Sequence, residues 1–208
     1  HNREEWPRDL DNMRDAGIRL VRTAEICCAW DQLEPVKGRF ELAWLDELFE
    51  LCEERGMYVL LGTGTASPPY WLRAMYEDVV IVNANGIAYP NNASYSWACF
   101  DHPGFREEAE RYIRTIVGRY KGRKGLFGYQ IHNEVGFPFM PLQSGEMEIY
   151  CYCEHSIKAF RRWLENKYGH IEELNEAYRW NATNERYTSF DQVDAPKAAP
   201  TAWSSVTR

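Results

Sequence analysis

The sequence predicts an α/β fold built on a parallel sheet, and three observations support this. Segments with helical apolar periodicity alternate with short apolar runs of strand length. Glycines stand where the helical patterns stop, as at Gly17 and Gly56. Polar residues follow each predicted strand. Because strands separated by helices run in one direction, these polar ends are expected to meet at one mouth of the fold.

The first helix and strand are predicted near the start of the chain. Residues 7–16 place Leu10 and Met13 on one helical face, and Gly17 ends the pattern. Residues 18–24 are then the first strand. Arg22 near its end and Glu25 directly after it are the first polar pair at a strand end.

Two more helix and strand pairs follow. Residues 41–55 carry apolar side chains every three or four positions, which predicts a helix, and 57–61 is the next strand. A loop-rich stretch at 68–103 precedes a helix at 105–120. The run 126–131 is the third strand.

The last third of the chain is predicted to be mainly helical. Amphipathic patterns indicate helices at 149–168 and 171–178. The first of these is expected to bury Phe160, Trp163 and Leu164. A tail at 195–208 is rich in Pro, Ala and Ser and is expected to be poorly ordered, so the domain is predicted to span 1–194.

Composition narrows the classes of partner. The 208 residues suit one domain with a sizeable core. A formal charge of -7 without a long basic stretch argues against nucleic acid as a binding partner. No apolar stretch is long enough to span a membrane. Aromatics make up 14% of the chain, typical of surfaces that stack on sugar rings. Six cysteines are too sparse for a disulfide scaffold and favour reduced thiols, hence a cytoplasmic location.

The pair Asn133 and Glu134, at the end of the third strand, is the main catalytic candidate. A carboxyl group there suits proton donation to a glycosidic oxygen, and the neighbouring amide suits a sugar hydroxyl. Arg22 and Glu25 either bind substrate or form a supporting ion pair. Trp71 is either a stacking platform for the sugar or a packing residue at the rim.

Several segments resemble family 42 of the glycoside hydrolases, which are mainly β-galactosidases. The matching segments, in chain order, are 1–7, 29–35, 44–46, 65–72, 130–134, 151–153 and 160–164. The resemblance implies a (β/α)8 TIM barrel of which this chain carries a part, roughly strands 2 to 4 with their helices and loops. It also implies retention of configuration, Glu134 as acid/base, and Asn133 as its substrate-binding neighbour.

The same resemblance implies what else the enzyme needs. The nucleophilic carboxylate belongs to the seventh strand, beyond Arg208, so this chain alone is expected to be inactive. Catalysis requires no cofactor, and the full-length protein is expected to be a homo-oligomer, as family members often form trimers. The substrate is expected to be a β-galactoside or a related β-linked oligosaccharide. Two alternatives stay open: a carbohydrate-binding pseudoenzyme, and another glycosidase of the same clan, of the agarose or xylan type.

Two positions depart from the family pattern. Many members place a sugar-contacting Arg where this chain has Tyr95, which leaves the identity of the sugar open. Members with a structural zinc use four cysteines, and the last of these is Ser156 here. The resemblance therefore implies a zinc site formed by Cys99, Cys151 and Cys153, with His155 or Glu154 in place of the fourth cysteine. Ordinary free thiols are the alternative.

Overall fold

The structure is a computed structural model that describes residues 2–24, 29–89, 98–133, 150–178 and 186–197. Two compact units are present. The first contains the described residues before 81, Ala98 and those from 103 to 133. The second contains 81–89, 99–102 and the described residues from 150 onward.

The first unit alternates helices and strands, as predicted. After a short 3-10 helix at Arg3–Glu5, its elements in chain order are α1 (Trp6–Asp15), β1 (Leu20–Thr23), α2 (Ala29–Leu33), α3 (Ala43–Glu54), β2 (Tyr58–Gly62), α4 (Tyr70–Met75), α5 (Pro103–Tyr120) and β3 (Leu126–Gln130). The second unit contains α6 (Glu154–Tyr168), α7 (Ile171–Ala177) and a 3-10 helix at Phe190–Gln192.

The three strands form a parallel sheet in the order β1-β2-β3. Arg22 on β1 lies opposite Leu60 on β2, and Leu60 lies opposite Gly128 on β3. A register shift between Val59 and Leu60 then aligns Gly62 with Gln130 at the carboxyl end. The predicted parallel α/β sheet is confirmed, and the arrangement is consistent with part of a (β/α)8 barrel.

The helices cover one face of this sheet with a core rich in aromatic rings. Trp30 and Tyr112 stack with centroids 4.5 Å apart, and Phe49 stacks on Tyr120 at 4.9 Å. All four side chains are fully buried. Each such ring contributes about 2 to 3 kcal/mol through burial of apolar surface. Stacking therefore fixes α2, α3 and α5 against the sheet.

The opposite face of the sheet is open to solvent in the described chain. Leu20 and its partner Tyr58 are 39% and 47% exposed, whereas Val59 and Leu61, which alternate with them, are fully buried. This is the face that carries Arg22, because side chains alternate along a strand. None of the described helices has the length and apolarity of a membrane span.

Three predicted boundaries were wrong. The helix predicted at 149–168 begins only at Glu154, because Tyr150 bridges Asn83 and the backbone N–H of Tyr152 donates to the carbonyl of Val82 at 2.7 Å. These contacts hold the preceding residues extended. The first strand is limited to Leu20–Thr23. The stretch predicted as a loop at 68–103 contains α4 and the start of α5.

Trp163 was also wrongly expected in the core of α6. It is 53% exposed, and the ammonium group of Lys167 lies 4.9 Å from its ring centroid. Leu164 is fully buried with Leu174 and Val193, and Phe160 packs against them. Phe160 and Leu164 are four positions apart on one helical face, whereas Trp163 projects about 100° away from Leu164.

The predicted tail at 195–208 lies mostly outside the described residues. Residues 195–197 have no regular secondary structure, and the hydroxyl of Tyr152 donates to the carbonyl of Pro196. The prediction of a domain at 1–194 stays a prediction.

Candidate active site and thiol cluster

The polar residues that follow the strands converge at the carboxyl end of the sheet. Arg22 on β1 and Gln130 on β3 point to the same face of the sheet, and Asn133 follows β3 by three positions. One Arg22 N–H group (Nη1) donates to Gln130 Oε1 at 3.2 Å and to Asn133 Oδ1 at 3.3 Å. The guanidinium group thus reaches over β2 and connects the outer strands.

The side-chain amide of Asn133 is oriented by this network. Gln130 Nε2 donates to Asn133 Oδ1 at 3.3 Å, so two donors meet the same oxygen. If the amide were flipped, its own N–H groups would face these two donors. The orientation with Oδ1 toward Arg22 and Gln130 is therefore the favoured one. Asn133 is 5% exposed, and among the described residues its Nδ2 has no hydrogen-bond partner. A buried amide donor without a partner costs about 1 to 3 kcal/mol, which a bound acceptor would recover.

Hydroxyl groups complete this edge of the sheet after β2. Thr63 donates from Oγ1 to the carbonyl of Ile131 at 2.5 Å, and its Oγ1 lies 3.2 Å from Thr65 Oγ1. Both threonines and Ser67 are buried. The Ser67 Oγ is a second buried polar atom that has no partner in the described part of the chain. The edge is therefore polar and holds hydrogen-bonding capacity for a hydroxylated ligand.

Trp71 is positioned by the backbone carbonyl of Glu34 and by neighbouring rings. Its indole N–H donates to the Glu34 carbonyl at 3.0 Å, and its ring meets Trp30 edge-on with centroids 6.1 Å apart. Arg111 lies over the Trp71 ring at 5.9 Å and pairs with Glu34 Oε1 at 2.7 Å. Trp71 is half-buried in this packing, and its role in substrate binding stays a prediction.

Several predicted residues lie outside the described part of the chain. They are Glu25, Tyr95 and Glu134. Of the predicted pair Asn133 and Glu134, the described part of the chain contains Asn133. Arg22 lies at the predicted mouth, where it holds the Asn133 amide.

The three cysteines predicted as metal ligands come together in the second unit. The sulfur atoms of Cys99, Cys151 and Cys153 all lie within 4.8 Å of one another, and Cys153 Sγ is 3.3 Å from Cys99 Sγ. The pKa of Cys153 is lowered well below the thiol range, because the thiols of Cys151 and Cys99 hydrogen-bond to it. The pKa of Cys99 is raised, first by Cys151 and Cys153 and then by burial. One thiolate shared by two thiols accounts for both directions.

Ser156, which stands in the position of the family's fourth cysteine, and His155, one of its two predicted substitutes, lie in different surroundings. Ser156 Oγ lies 3.2 Å from Cys99 Sγ and donates to Asp101 Oδ2 at 2.8 Å. The His155 ring packs against His102 with centroids 4.5 Å apart. Among the described residues, the three thiols form a group of possible metal ligands that does not include His155. His155 as a ligand stays a prediction.

Comparison with known proteins identifies the family. The model of the Glyco_hydro_42 family, described as beta-galactosidase, matches residues 1–207. The chain belongs to glycoside hydrolase family 42. The expected resemblance is thereby confirmed over nearly the whole chain, including the strand ends that carry Arg22 and Asn133.

Individual relatives agree with this assignment. The family 42 chain is 39% identical over 194 residues to a β-galactosidase of Thermus thermophilus, covering 93% of this chain and 28% of the relative. It is 36% identical over 202 residues to one of Haloferax lucentense, covering 97% of this chain and 29% of the relative. The chain thus spans under a third of the length of these relatives.

Solved structures show the same fold. The β-galactosidase of Halorubrum lacusprofundi superposes with a TM-score of 0.84 at 36% identity, over 97% of this chain and 28% of that one. The catalytic domain of a β-amylase from Paenibacillus polymyxa matches with a TM-score of 0.63 at 16% identity, covering 94% of this chain and 50% of that one. The second match reflects the fold alone.

Sequence reasoning missed two residues of these sites in the family 42 chain. Gln130 was recognised as part of the third strand and of the matching segment 130–134 but was given no role, although its position three residues before Asn133 at a strand end was a usable signal. Asp101 was missed because it is 55 positions away from Ser156, and only the fold brings the two together.

Proposed function

We propose that this family 42 chain contributes strands 2 to 4 of a (β/α)8 barrel in a retaining β-galactosidase. Membership of the family and the β-galactosidase names of its relatives support the activity. Glu134 acts as the acid/base and Asn133 binds the sugar. The nucleophile comes from the seventh strand of the barrel.

One observation carries the proposal: the amide of Asn133. Its oxygen accepts from Arg22 and Gln130, while its buried Nδ2 group has no partner among the described residues. Such a donor suits a sugar hydroxyl, and hydrogen bonds to the 2-OH strengthen in the transition state of glycoside hydrolysis. The adjacent position in the chain is Glu134.

The proposed reaction has two steps. Glu134 donates its proton to the leaving oxygen while the nucleophilic carboxylate, about 5 to 5.5 Å away, attacks the anomeric carbon. A covalent galactosyl-enzyme forms. Glu134, now ionised, takes a proton from the water that releases the sugar with retained configuration. The Asn133 amide contributes by binding the 2-OH in both transition states.

The acid/base role is tested with Glu134→Ala in the protein at its full natural length. We expect hydrolysis of a galactoside with a poor leaving group to fall by about two to four orders of magnitude, since protonation contributes about that much. An activated aryl galactoside needs no protonation, so its first step should be largely preserved. Added azide, which needs no base, should accelerate its turnover and yield β-galactosyl azide. Glu107→Gln on the exposed side of α5 is the control for loss of a carboxylate.

Equal losses on the two substrates, or no azide product, would refute the assignment of Glu134. A panel of aryl glycosides separates a galactosidase from the agarose- and xylan-type alternatives. No turnover of any member by the folded wild-type protein would favour the pseudoenzyme.

The role of Asn133 is tested separately with Asn133→Ala on a galactoside and its 2-deoxy analogue. Loss of a donor that acts in the transition state costs about 100- to 1,000-fold in kcat. We expect that loss on the galactoside and a much smaller loss on the 2-deoxy analogue, because the analogue has no hydroxyl to bind. Losses of the same size on both substrates would mean that Asn133 supports the fold instead.

Oligomeric state and location are part of the same proposal. A homo-oligomer, as in the trimers that family members often form, and a cytoplasmic location are expected. Sedimentation velocity of the natural-length protein measures the oligomeric state.

A further inference from the structure

The side chain of Gln130 connects β1 to the residues that follow β3. Its Oε1 accepts from Arg22 Nη1 at 3.2 Å. Its Nε2 donates to Asn133 Oδ1 at 3.3 Å and to the backbone carbonyl of His132 at 3.3 Å. Gln130 therefore uses its acceptor on β1 and both of its N–H groups on the two residues that precede Glu134 in the chain.

These three contacts together determine the orientation of the Gln130 amide. If it were reversed, its N–H groups would face the Arg22 donor, and its oxygen would face the oxygens of Asn133 and His132. The backbone of Gln130 is held as well, since its carbonyl accepts from the N–H of Thr63 at 3.0 Å. The side chain thus projects from a paired strand, which places it more precisely than a loop would.

Glutamine is the side chain of this length that can make all three contacts. A carboxylate only accepts, so glutamate would keep the contact with Arg22 and lose those with Asn133 and His132. Methionine has a similar length and makes none of the three. Arg22 alone would hold the Asn133 oxygen less well, because Arg22 is exposed and fixing so long a side chain costs rotamer entropy. Residue 130 thus decides whether one donor or two hold the Asn133 amide.

We propose that Gln130 is a positioning residue, which holds the Asn133 amide so that its Nδ2 group is left to donate to the 2-OH of the sugar. This rests on the proposed function of Asn133. Nδ2 is buried without a partner among the described residues, so a rotated amide would no longer present the donor. A displacement of about 1 Å at a reacting centre can cost about 100-fold in rate. Both N–H groups of Gln130 are already used, so it acts through Asn133.

Kinetics of the natural-length protein test this role with Gln130→Met. We expect kcat on an aryl galactoside to fall by about 10- to 100-fold, because the Asn133 donor is misplaced. The loss on the 2-deoxy analogue should be much smaller, since the analogue has no hydroxyl for Asn133 to bind. Poor and activated leaving groups should show equal losses, because binding of the 2-OH does not involve the leaving oxygen. Gln32→Met on the exposed side of α2 is the matched control and should leave kcat unchanged.

Two more variants separate positioning from a general effect on the fold. In the Asn133→Ala background, Gln130→Met should cost less than about threefold more, because residues that act as a unit are not additive. Gln130→Glu keeps an acceptor for Arg22 but has no donor for Asn133. It should therefore show the same split between the galactoside and its 2-deoxy analogue as Gln130→Met. Wild-type kcat in Gln130→Glu would show that the contact with Asn133 does not matter.

A crystal structure of the natural-length Gln130→Met variant tests the positioning without turnover. We expect the Asn133 side chain to be rotated relative to wild type while the backbone of β3 is unchanged. An unchanged Asn133 side chain, additive losses in the double variant, or equal losses on the two sugars would each overturn the role of Gln130. Equal losses in Asn133→Ala itself would instead refute the proposed function of Asn133, and the crystal structure would still decide whether Gln130 holds that amide.

Discussion

Replacement of the buried Glu34 by alanine should destabilise the first unit strongly. Glu34 is fully buried, and its carboxylate accepts from the Trp30 indole N–H at 2.8 Å and from the Gly38 backbone N–H at 2.5 Å. It also pairs with Arg111 at 2.7 Å. In Glu34→Ala these donors lose their acceptor and water does not readily replace it.

The magnitude follows from the partners. Each hydrogen bond to a charged group is worth about 1.5 to 3 kcal/mol, and the Trp30 and Gly38 donors account for two of them. Arg111 adds less than about 1 kcal/mol, because its side chain is 32% exposed and it keeps its 2.9 Å contact with Glu108. We expect a loss of about 3 to 7 kcal/mol in the free energy of unfolding, a large part of the stability of a typical domain.

Urea unfolding followed by tryptophan fluorescence measures this loss. Glu34→Gln keeps the volume and one acceptor but sets an amide N–H against a donor, so about half of the loss is expected. Glu41→Ala removes a carboxylate that is 57% exposed and should change stability by less than about 0.5 kcal/mol. If Glu34→Ala unfolds at the same urea concentration as Glu41→Ala, the buried contacts contribute nothing and the reasoning fails.

Three further predictions concern the same unit. Gly64→Ala should lower the free energy of unfolding, measured in urea, by about 1 to 3 kcal/mol, because φ is +66° and a Cβ would lie 3.2 Å from the start of α2. The control is Gly118→Ala within α5, where a Cβ meets nothing within 4 Å, and it should be neutral or stabilising. Burial raises the pKa of Cys52 to about 11, so iodoacetamide at pH 8 should label it only after unfolding; labelling of the native protein at the unfolded rate would contradict this. Arg119 holds the pKa of Asp46 below its usual range, so ionised Asp46 stabilises the fold above about pH 4 and this stabilisation is lost as pH falls through the lowered pKa. The difference in free energy of unfolding between wild type and Asp46→Asn, measured by urea titration, should therefore shrink at low pH. A difference that does not change with pH would contradict this.

Long periodic elements could be predicted from the sequence, and short ones could not. The helical periods at 41–55 and 105–120 correspond to α3 and α5, since many apolar positions define each face. The short helices α2 and α4 have too few positions to show a period. They depend on tertiary contacts such as the stacking of Trp30 on Tyr112.

Part of the candidate site followed from topology alone. Arg22 and Asn133 were expected at one mouth because parallel strands share their carboxyl end, and the structure brings them within hydrogen-bonding distance. The position of Gln130 at a strand end, three residues before Asn133, was a usable signal, but its contacts with Arg22 and Asn133 were not predictable. These contacts depend on the register shift between Val59 and Leu60, which no residue type signals. The contact of Asp101 with Ser156 likewise depends on the fold of the second unit.

The hydrogen bond of Arg22 to Asn133 also has a consequence for folding. The two residues are 111 positions apart in the chain and lie at strands that do not pair with each other. Contacts of this separation form late, because the cost of closing the intervening loop precedes any gain. The amide therefore acquires its orientation only when β1, β2 and β3 have all assembled. Binding of a sugar at this edge would then report on completion of the sheet, and partly folded chains with native helices would not bind.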